Sequence, residues 1–385
     1  MSTLRLRRWD DAEFAAGREA WQALLQRSAA NALFMSWDWQ WRWWHHHQRM
    51  LAAELVLLGL YDTAGELVGI APLYASRARH AGIFRARRLQ LIGGAWRDGR
   101  PAFSEYLDFI AARGSERRVL NALAGHPLED RGWDELVLGN VLPDSLAARF
   151  ALEWQGRGAF VRQVDPLSAH RIPLSRDFKT YVAGLSSGTR RRLVNQRRKA
   201  GAPRVEYAGL DELESSLQAL RAFKMSRWNS GPHVAAFLDF HLDFAAAMAK
   251  RGALRLSRLL DGDRTLSVLY DVRIDGTEYY LESGFDTALA KGMTPGYLHL
   301  GFAIEAACAD CVECFDLLGG EGRHRPYKRD LCPEETALFC YQVIRSPLLR
   351  ALYGAHRLLQ RFKTRTPVLF DTGHRAASVN VSGPR

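Results

Sequence analysis

Residues 252 to 286, GALRLSRLLDGDRTLSVLYDVRIDGTEYYLESGFD, leave the chain few folds to choose from. Three apolar runs are separated by Asp261-Gly262 and Asp275-Gly276, the Asp-Gly pairs that close tight hairpins because both residues tolerate positive φ. An antiparallel meander is therefore predicted, followed by a helical run at 297 to 309 and the strand CFDLLGG. The first third of the chain repeats the theme. AAELVLLGLYDTAGELVGIAPLYASRARHAG holds two strands joined across Asp62-Thr63-Ala64-Gly65, and RLQLIGG, SEYLDFIAA and WDELVLGNV supply shorter ones. Helices are predicted at 11 to 28, 115 to 124 and 144 to 157. Two αβ units of the same order, about two hundred residues apart, imply an internal duplication. The expected fold is α/β (α+β): two domains in tandem, 1–165 and 166–345, each a mixed, mostly antiparallel sheet flanked by helices, with a basic amphipathic helix and flexible tail at 346–385.

At 385 residues, 47% of them hydrophobic, the chain can bury sizeable cores. No run of about 18 apolar residues occurs and the start MSTLRLRRWDDAEF has no apolar h-region, so a cytoplasmic protein is expected. Five cysteines without dense spacing agree with that. The formal charge of +11 comes mainly from arginine, whose fork suits phosphates and carboxylates.

FMSWDWQWRWWHHHQRM carries five tryptophans within residues 37 to 44. Trp37, Trp41 and Trp44 fall on one helical face, a core-packing spacing rather than a stacking platform. His45, His46 and His47 are consecutive, so they point around the helix and cannot converge on one metal. Cys308, Cys311 and Cys314 lack a matching second pair, and no metal is expected. SSGTRRRLVNQRRKAGAP, residues 186 to 203, has six Arg and Lys between Gly188 and Gly201. It fits the wall of an anionic-substrate site, a solvated helix face, or a nucleic-acid contact, though no aromatic residue interleaves for base stacking.

In residues 278 to 328, a strand ends near Gly284, a loop with Gly292, Pro295 and Gly296 follows, and a helix starts at about Tyr297. Such a turn can present helix N-terminal amides to a pyrophosphate. The order of Gly-Phe-Asp, Thr-Pro-Gly, an amphipathic helix, Phe-Asp-Leu-Leu-Gly-Gly and Tyr327-Lys328 resembles the CelD/BcsL-type acyltransferase family of the GNAT superfamily, related to FemAB proteins and to BioF-like acetyltransferase domains. Trp-x3-Trp after Phe-x-Ser, the Val-Gly-Ile-Ala-Pro-Leu-Tyr strand and Ser104-Glu105-Tyr106-Leu107-Asp108-Phe109 extend the resemblance over roughly residues 30 to 345.

The resemblance implies acyl transfer, from acyl-CoA or from aminoacyl-tRNA, to an amine or hydroxyl acceptor in cell-envelope, exopolysaccharide or cellulose biosynthesis. The family's Q/R-x-x-G-x-G/A loop is replaced by Lys291-Gly292-Met293-Thr294-Pro295-Gly296-Tyr297-Leu298. Gly292, Thr294, Pro295, Gly296, Tyr297 and Leu298 are the donor-binding candidates, although Pro295 lacks an amide hydrogen. Glu282 is the candidate base, on one strand face with Tyr280 and Gly284 by simple alternation. Tyr327 and Lys328 complete the catalytic candidates, with Lys328 neutralising a phosphate or oxyanion. Arg191, Arg192, Arg198, Tyr280 and Asp286 are the substrate-binding candidates, with Asp286 also suited to an Asx turn. The expected acceptor is an anionic small molecule or saccharide. Two other readings compete: a non-catalytic partner in an envelope assembly complex, and an RNA-binding protein. Leu348, Leu352, Ala355, Leu359 and Phe362 recur at helical spacing among arginines, which fits either a helix docked on the protein or contact with an anionic membrane at its inner face.

Overall fold

The first strand, β1 (Arg5–Trp9), pairs with a hairpin of β2 (Glu54–Tyr61) and β3 (Leu67–His80), whose turn chemistry sets their ends. The Asp62 carboxylate accepts from the amides of Ala64 and Glu66 at 2.9 and 3.0 Å, and Gly65 takes φ 85°, where a side chain would be strained. β4 (Phe84–Leu91), β5 (Ile110–Ala111), β6 (Glu135–Val141) and β7 (Phe160–Ala169) follow. The second sheet contains β8 (Arg171–Pro173), β9 (Arg204–Tyr207), β10 (Leu254–Asp261), β11 (Arg264–Ile274), β12 (Thr277–Phe285) and β13 (Cys314–Asp316), in the order β8-β13-β12-β11-β10-β9. The predicted meander is β10 to β12, with Gly262, Asp275 and Gly276 at positive φ in its two turns. This computed structural model describes residues 4–80, 84–97, 101–125, 132–174, 177–199, 203–228, 233–289, 293–319 and 325–363.

β14 (Thr336–Ile344) returns to the first sheet, whose order is β1-β2-β3-β4-β6-β14-β7 with β5 on β3. The expected division at 165/166 therefore differs from the hydrogen bonding. β7 runs through that division, and β14, in the stretch expected for the second domain, pairs with both β6 and β7. Each sheet contains one parallel pair, β4 with β6 and β12 with β13, and is otherwise antiparallel. This shared plan is the duplication, visible in topology where sequence identity is weak.

The helices are α1 (Asp11–Ala16), α2 (Arg18–Gln26), α3 (Trp37–His47), α4 (Glu116–Ala124), α5 (Leu146–Gly156), α6 (Phe178–Ala183), α7 (Ser187–Leu193), α8 (Leu213–Trp228), α9 (His233–Lys250), α10 (Pro295–Ala309), α11 (Arg325–Leu331) and α12 (Pro347–Lys363). The helix expected at 11 to 28 is broken into α1 and α2 at Gly17. A Cβ there would lie 2.4 Å from the Trp9 ring. In α3 the tryptophans do pack into the core, yet the face is wider than expected. Trp39, Trp43 and Trp44 are the most deeply buried, and Trp41 is only partly so. Phe240 and Phe244 of α9 meet Trp39 edge-on at 5.0 and 4.8 Å, so α3 is covered from a second side. His47 is buried, which pulls its pKa down to about 4, whereas His46 reaches Asp243 at 3.2 Å and His45 is exposed. The three histidines diverge. Among the described residues no cluster of metal-ligating side chains forms, and no helix is long and apolar enough to cross a membrane.

Residues 1–344 form one compact unit and 345–385 a second. In the second, α12 exposes Leu348, Arg350 and Ala355 and buries Leu349. Leu359 and Phe362 belong to the part whose side chains lie outside the described residues.

Candidate functional site

β12 and β13 run together only from Thr277 to Tyr279, opposite Cys314 to Asp316. β12 continues to Phe285, and among the described residues no backbone hydrogen bond joins it to the β13 side beyond Tyr279. The strands part, and the β12 edge from Tyr280 onward is left unpaired on this side among the described residues. Bare strand edges accept added extended chains, so this is a place for a ligand with backbone-like amides.

A β-bulge lies at the fork. Tyr270 of β11 pairs with Glu282 and Asp271 with Tyr280, leaving Leu281 as the extra residue. Simple alternation, which put Tyr280, Glu282 and Gly284 on one face, therefore fails here, because a bulge reverses the faces beyond it. Glu282 and Gly284 face α8: Glu282 pairs with Lys224 at 2.6 Å, and a Cβ on Gly284 would sit 2.9 Å from Phe223. Tyr280 faces the other way. Its hydroxyl bonds to Ser283 Oγ, and the Tyr327 hydroxyl donates to it at 3.5 Å, a long contact. Burial pushes the Tyr280 phenol up to about 12 and raises that of Tyr327 as well. Both keep their protons at neutral pH and can donate them.

Above this edge, Tyr297 at the start of α10 packs edge-on against Tyr327 at 6.1 Å, and its hydroxyl donates to Asp330 at 3.3 Å. Arg192 caps the group, pairing with Asp330 at 2.9 Å while its guanidinium lies 4.4 Å from the Tyr297 ring centroid. The arginine-rich stretch is thus neither a free arm nor merely solvated. α7 buries Thr189 and Leu193 against α10, and Arg197 pairs with Glu305 at 2.5 Å. Gln196 Oε1 accepts from both the amide and the hydroxyl of Thr294, at 3.0 and 2.8 Å, tying this stretch to the turn before α10. Arg191 remains exposed. Arg198 lies in the 3₁₀ turn Asn195–Lys199, with its side chain outside the described residues, as is the whole of Gly292.

The donor-binding candidates separate. Thr294 is the N-cap of α10 and Pro295 its first residue. Gly296 faces protein: a Cβ there would lie 3.1 Å from the Phe285 ring. Leu298 is a correction, since it is fully buried with Leu259 and Leu266 and cannot touch a ligand. Asp286 does form an Asx turn, accepting from the Ala288 amide at 2.9 Å, and it pairs with Arg264 at 2.6 Å.

Lys328 also departs from expectation. Its ammonium is buried and donates to the carbonyls of Leu317 and Leu318, at 2.6 and 3.2 Å, and of Gly319. With its donors directed at the backbone it is a brace, not a free cation for phosphate. Glu105 grips the same segment from the first half of the chain, accepting from the Gly319 amide at 2.8 and 2.6 Å. Tyr106 donates to Asp316 at 3.2 Å, and Arg171 pairs with Asp316 at 3.3 Å. Burial pushes Asp316 up to about 6. The motifs SEYLDF, FDLLGG and Tyr-Lys thus meet in one buried junction beside the fork. Lys224, Ser283, Asp330 and Gln196 are site residues that no sequence spacing singled out.

Residues 187–329, the greater part of the second sheet with the fork, match the family model described as an acetyltransferase (GNAT) domain. No curated protein matches the sequence. Among solved structures, FemX is similar with a TM-score of 0.58 at 11% identity, covering 90% of this chain and 99% of that one. A conserved protein of unknown function from Bacteroides thetaiotaomicron has a TM-score of 0.56 at 11% identity, covering 89% and 100%. The C-terminal domain of a putative lysylphosphatidylglycerol synthetase from Agrobacterium fabrum has 0.51 at 8%, covering 91% and 97%. At such identities the likeness is one of fold, and it extends over both sheets.

Proposed function

We propose that this chain transfers an acyl group from a donor laid along the open edge of β12 to the amine or hydroxyl of an acceptor. The observation that carries the proposal is the fork itself, with protonated phenols on one side of the bulged strand and a carboxylate on the other. The amides of a pantetheine arm would continue the sheet, bringing the thioester carbonyl beside the bulge. The acceptor nitrogen or oxygen then attacks the carbonyl carbon, its proton passes to Glu282, and the carbon–sulfur bond breaks as Tyr327 protonates the departing sulfur. Tyr280, itself bonded to Ser283, positions the Tyr327 hydroxyl, and Arg191 and Arg192 face the donor's phosphates. The GNAT match supports acyl-CoA as the donor. The finer resemblance to the CelD/BcsL group suggests an anionic or saccharide acceptor and a role in cell-envelope, exopolysaccharide or cellulose biosynthesis.

A second reading, aminoacyl transfer from aminoacyl-tRNA, is favoured by one feature: Pro295 removes an amide from the helix end that would hold a pyrophosphate. A thermal-shift comparison separates these readings. A donor at about 100 times its Kd adds roughly 2.7 kcal/mol, a shift of a few degrees. Stabilisation by acetyl-CoA supports the first reading, and stabilisation by aminoacyl-tRNA but not by uncharged tRNA supports the second. If neither acts, the non-catalytic and RNA-binding readings take their place.

A further inference from the structure

We propose that the β3–β4 ribbon is a docking surface for the headgroups of an anionic bilayer. Register places Arg77 directly opposite Arg87, and Arg79 directly opposite Arg85. β2 accompanies β3 only as far as Ala75, and β6 meets β4 only from Arg88 onward, so the Arg79–Arg85 rung lies on a two-stranded ribbon beyond the body of the sheet, with the Arg77–Arg87 rung at its root, where Asp134 bonds to the amide and the carbonyl of Arg87. Opposed Cβ atoms in such a ribbon are about 5 Å apart, and successive rungs are separated by about 7 Å. All four arginines are exposed. On the reverse face Ala78, His80 and Ala86 are buried, with His80 bonded to Glu135 at 2.8 Å, so the ribbon is anchored from behind.

Like charges directly opposed across strands are destabilising. Among the described residues, Glu54 reaches only the Arg87 side chain, at 3.1 Å, and is shared with Arg8 at 3.0 Å. The side chains of Arg77, Arg79 and Arg85 make no hydrogen bond or ion pair among the described residues. A surface of evenly spaced phosphates relieves that repulsion, and guanidinium forks suit it. The exposed positions, Arg77 and Arg79 on β3 and Arg85 and Arg87 on β4, include no aromatic and no amide or hydroxyl side chain. Such a face neutralises charge but cannot stack on or read bases, which favours lipid over RNA.

The inference is independent of the acyl-transfer reading. It is tested with the full chain by co-sedimentation with phosphatidylcholine vesicles, with and without one-third phosphatidylglycerol. Binding is expected only to the anionic vesicles, at low salt, and is released as salt is added. Replacing Arg77, Arg79 and Arg85 together by Ala should lower the partition coefficient by about 10²-fold, whereas Lys at all three positions retains most of it. The Ala variant should melt no lower than the parent, because opposed charges have been removed. If it misfolds, Gln at the three positions serves instead. Failure of the parent chain to bind anionic vesicles at low salt overturns the proposal, as does equal binding by the Ala or Gln variant. Ladder-dependent binding of a mixed transfer-RNA pool without vesicle binding also overturns it, making the ribbon an RNA surface.

Discussion

Glu105 and Lys328 are separated by more than two hundred residues, yet both close on the backbone from Leu317 to Gly319. Burial pushes Glu105 up to about 7 and holds Lys328 below the ordinary lysine range. For a carboxyl group whose pKa is raised on folding, the associated stability is full below the unfolded value and is lost as pH rises through the folded one. The melting temperature of the parent protein, relative to Glu105→Gln, should therefore fall between about pH 4.5 and 7, by the equivalent of at most roughly 3 kcal/mol. A pH series of melting curves for the two proteins measures it, and a difference independent of pH would remove Glu105 as the titrating group. In the site, Tyr327→Phe deletes the hydroxyl alone. Turnover should drop by about 10²-fold with donor affinity nearly unchanged, whereas a matching loss of affinity would mean that the phenol binds rather than protonates.

At the level of elements, α7 and α10 meet at Gly301, where a Cβ would lie 2.2 Å from the Leu193 carbonyl oxygen. Gly301→Ala must push α7 outward, carrying Arg192 away from Asp330 and Tyr297. A loss of about 1–3 kcal/mol in chemical denaturation is expected, together with weaker donor binding. Unchanged stability would show that the helices slide without cost. How far such features can be read from sequence varies with their range. The hairpins at Asp62–Gly65 and Asp275-Gly276 were legible because their signal lies within four residues. α10 was placed within two residues of its start, since Pro295 sits at the position where a missing amide hydrogen matters least. The bulge at Leu281 was hidden because β11 creates it, and it reversed the inferred face of Glu282. The partnership of Glu282 with Lys224 was equally out of reach, depending on where α8 crosses β12. Gly296 looked like a phosphate approach and instead accommodates Phe285, since a glycine does not declare what comes close to it.

For the molecule as a whole, the return of β14 decides which fragments can stand alone. A chain ending at residue 344 retains every strand of both sheets and should fold, whereas one ending at 335 leaves β6 and β7 with bare facing edges. Expression of the two truncations, followed by gel filtration, is the test: a monodisperse 1–335 product would mean that β14 is dispensable. A separately expressed 166–345 fragment should fail for the converse reason, carrying β14 without its partners. The same nesting governs how the protein emerges from a ribosome. The first sheet cannot close when its own early strands have been made; it waits while residues 170 to 335 are added, on the order of 10–30 s at ordinary elongation rates. Throughout that interval two strand edges and their apolar faces stand ready to pair with a neighbouring nascent chain. Growth temperature, codon choice within that interval and the supply of chaperones should therefore control the yield of this protein more than the final stability of either sheet.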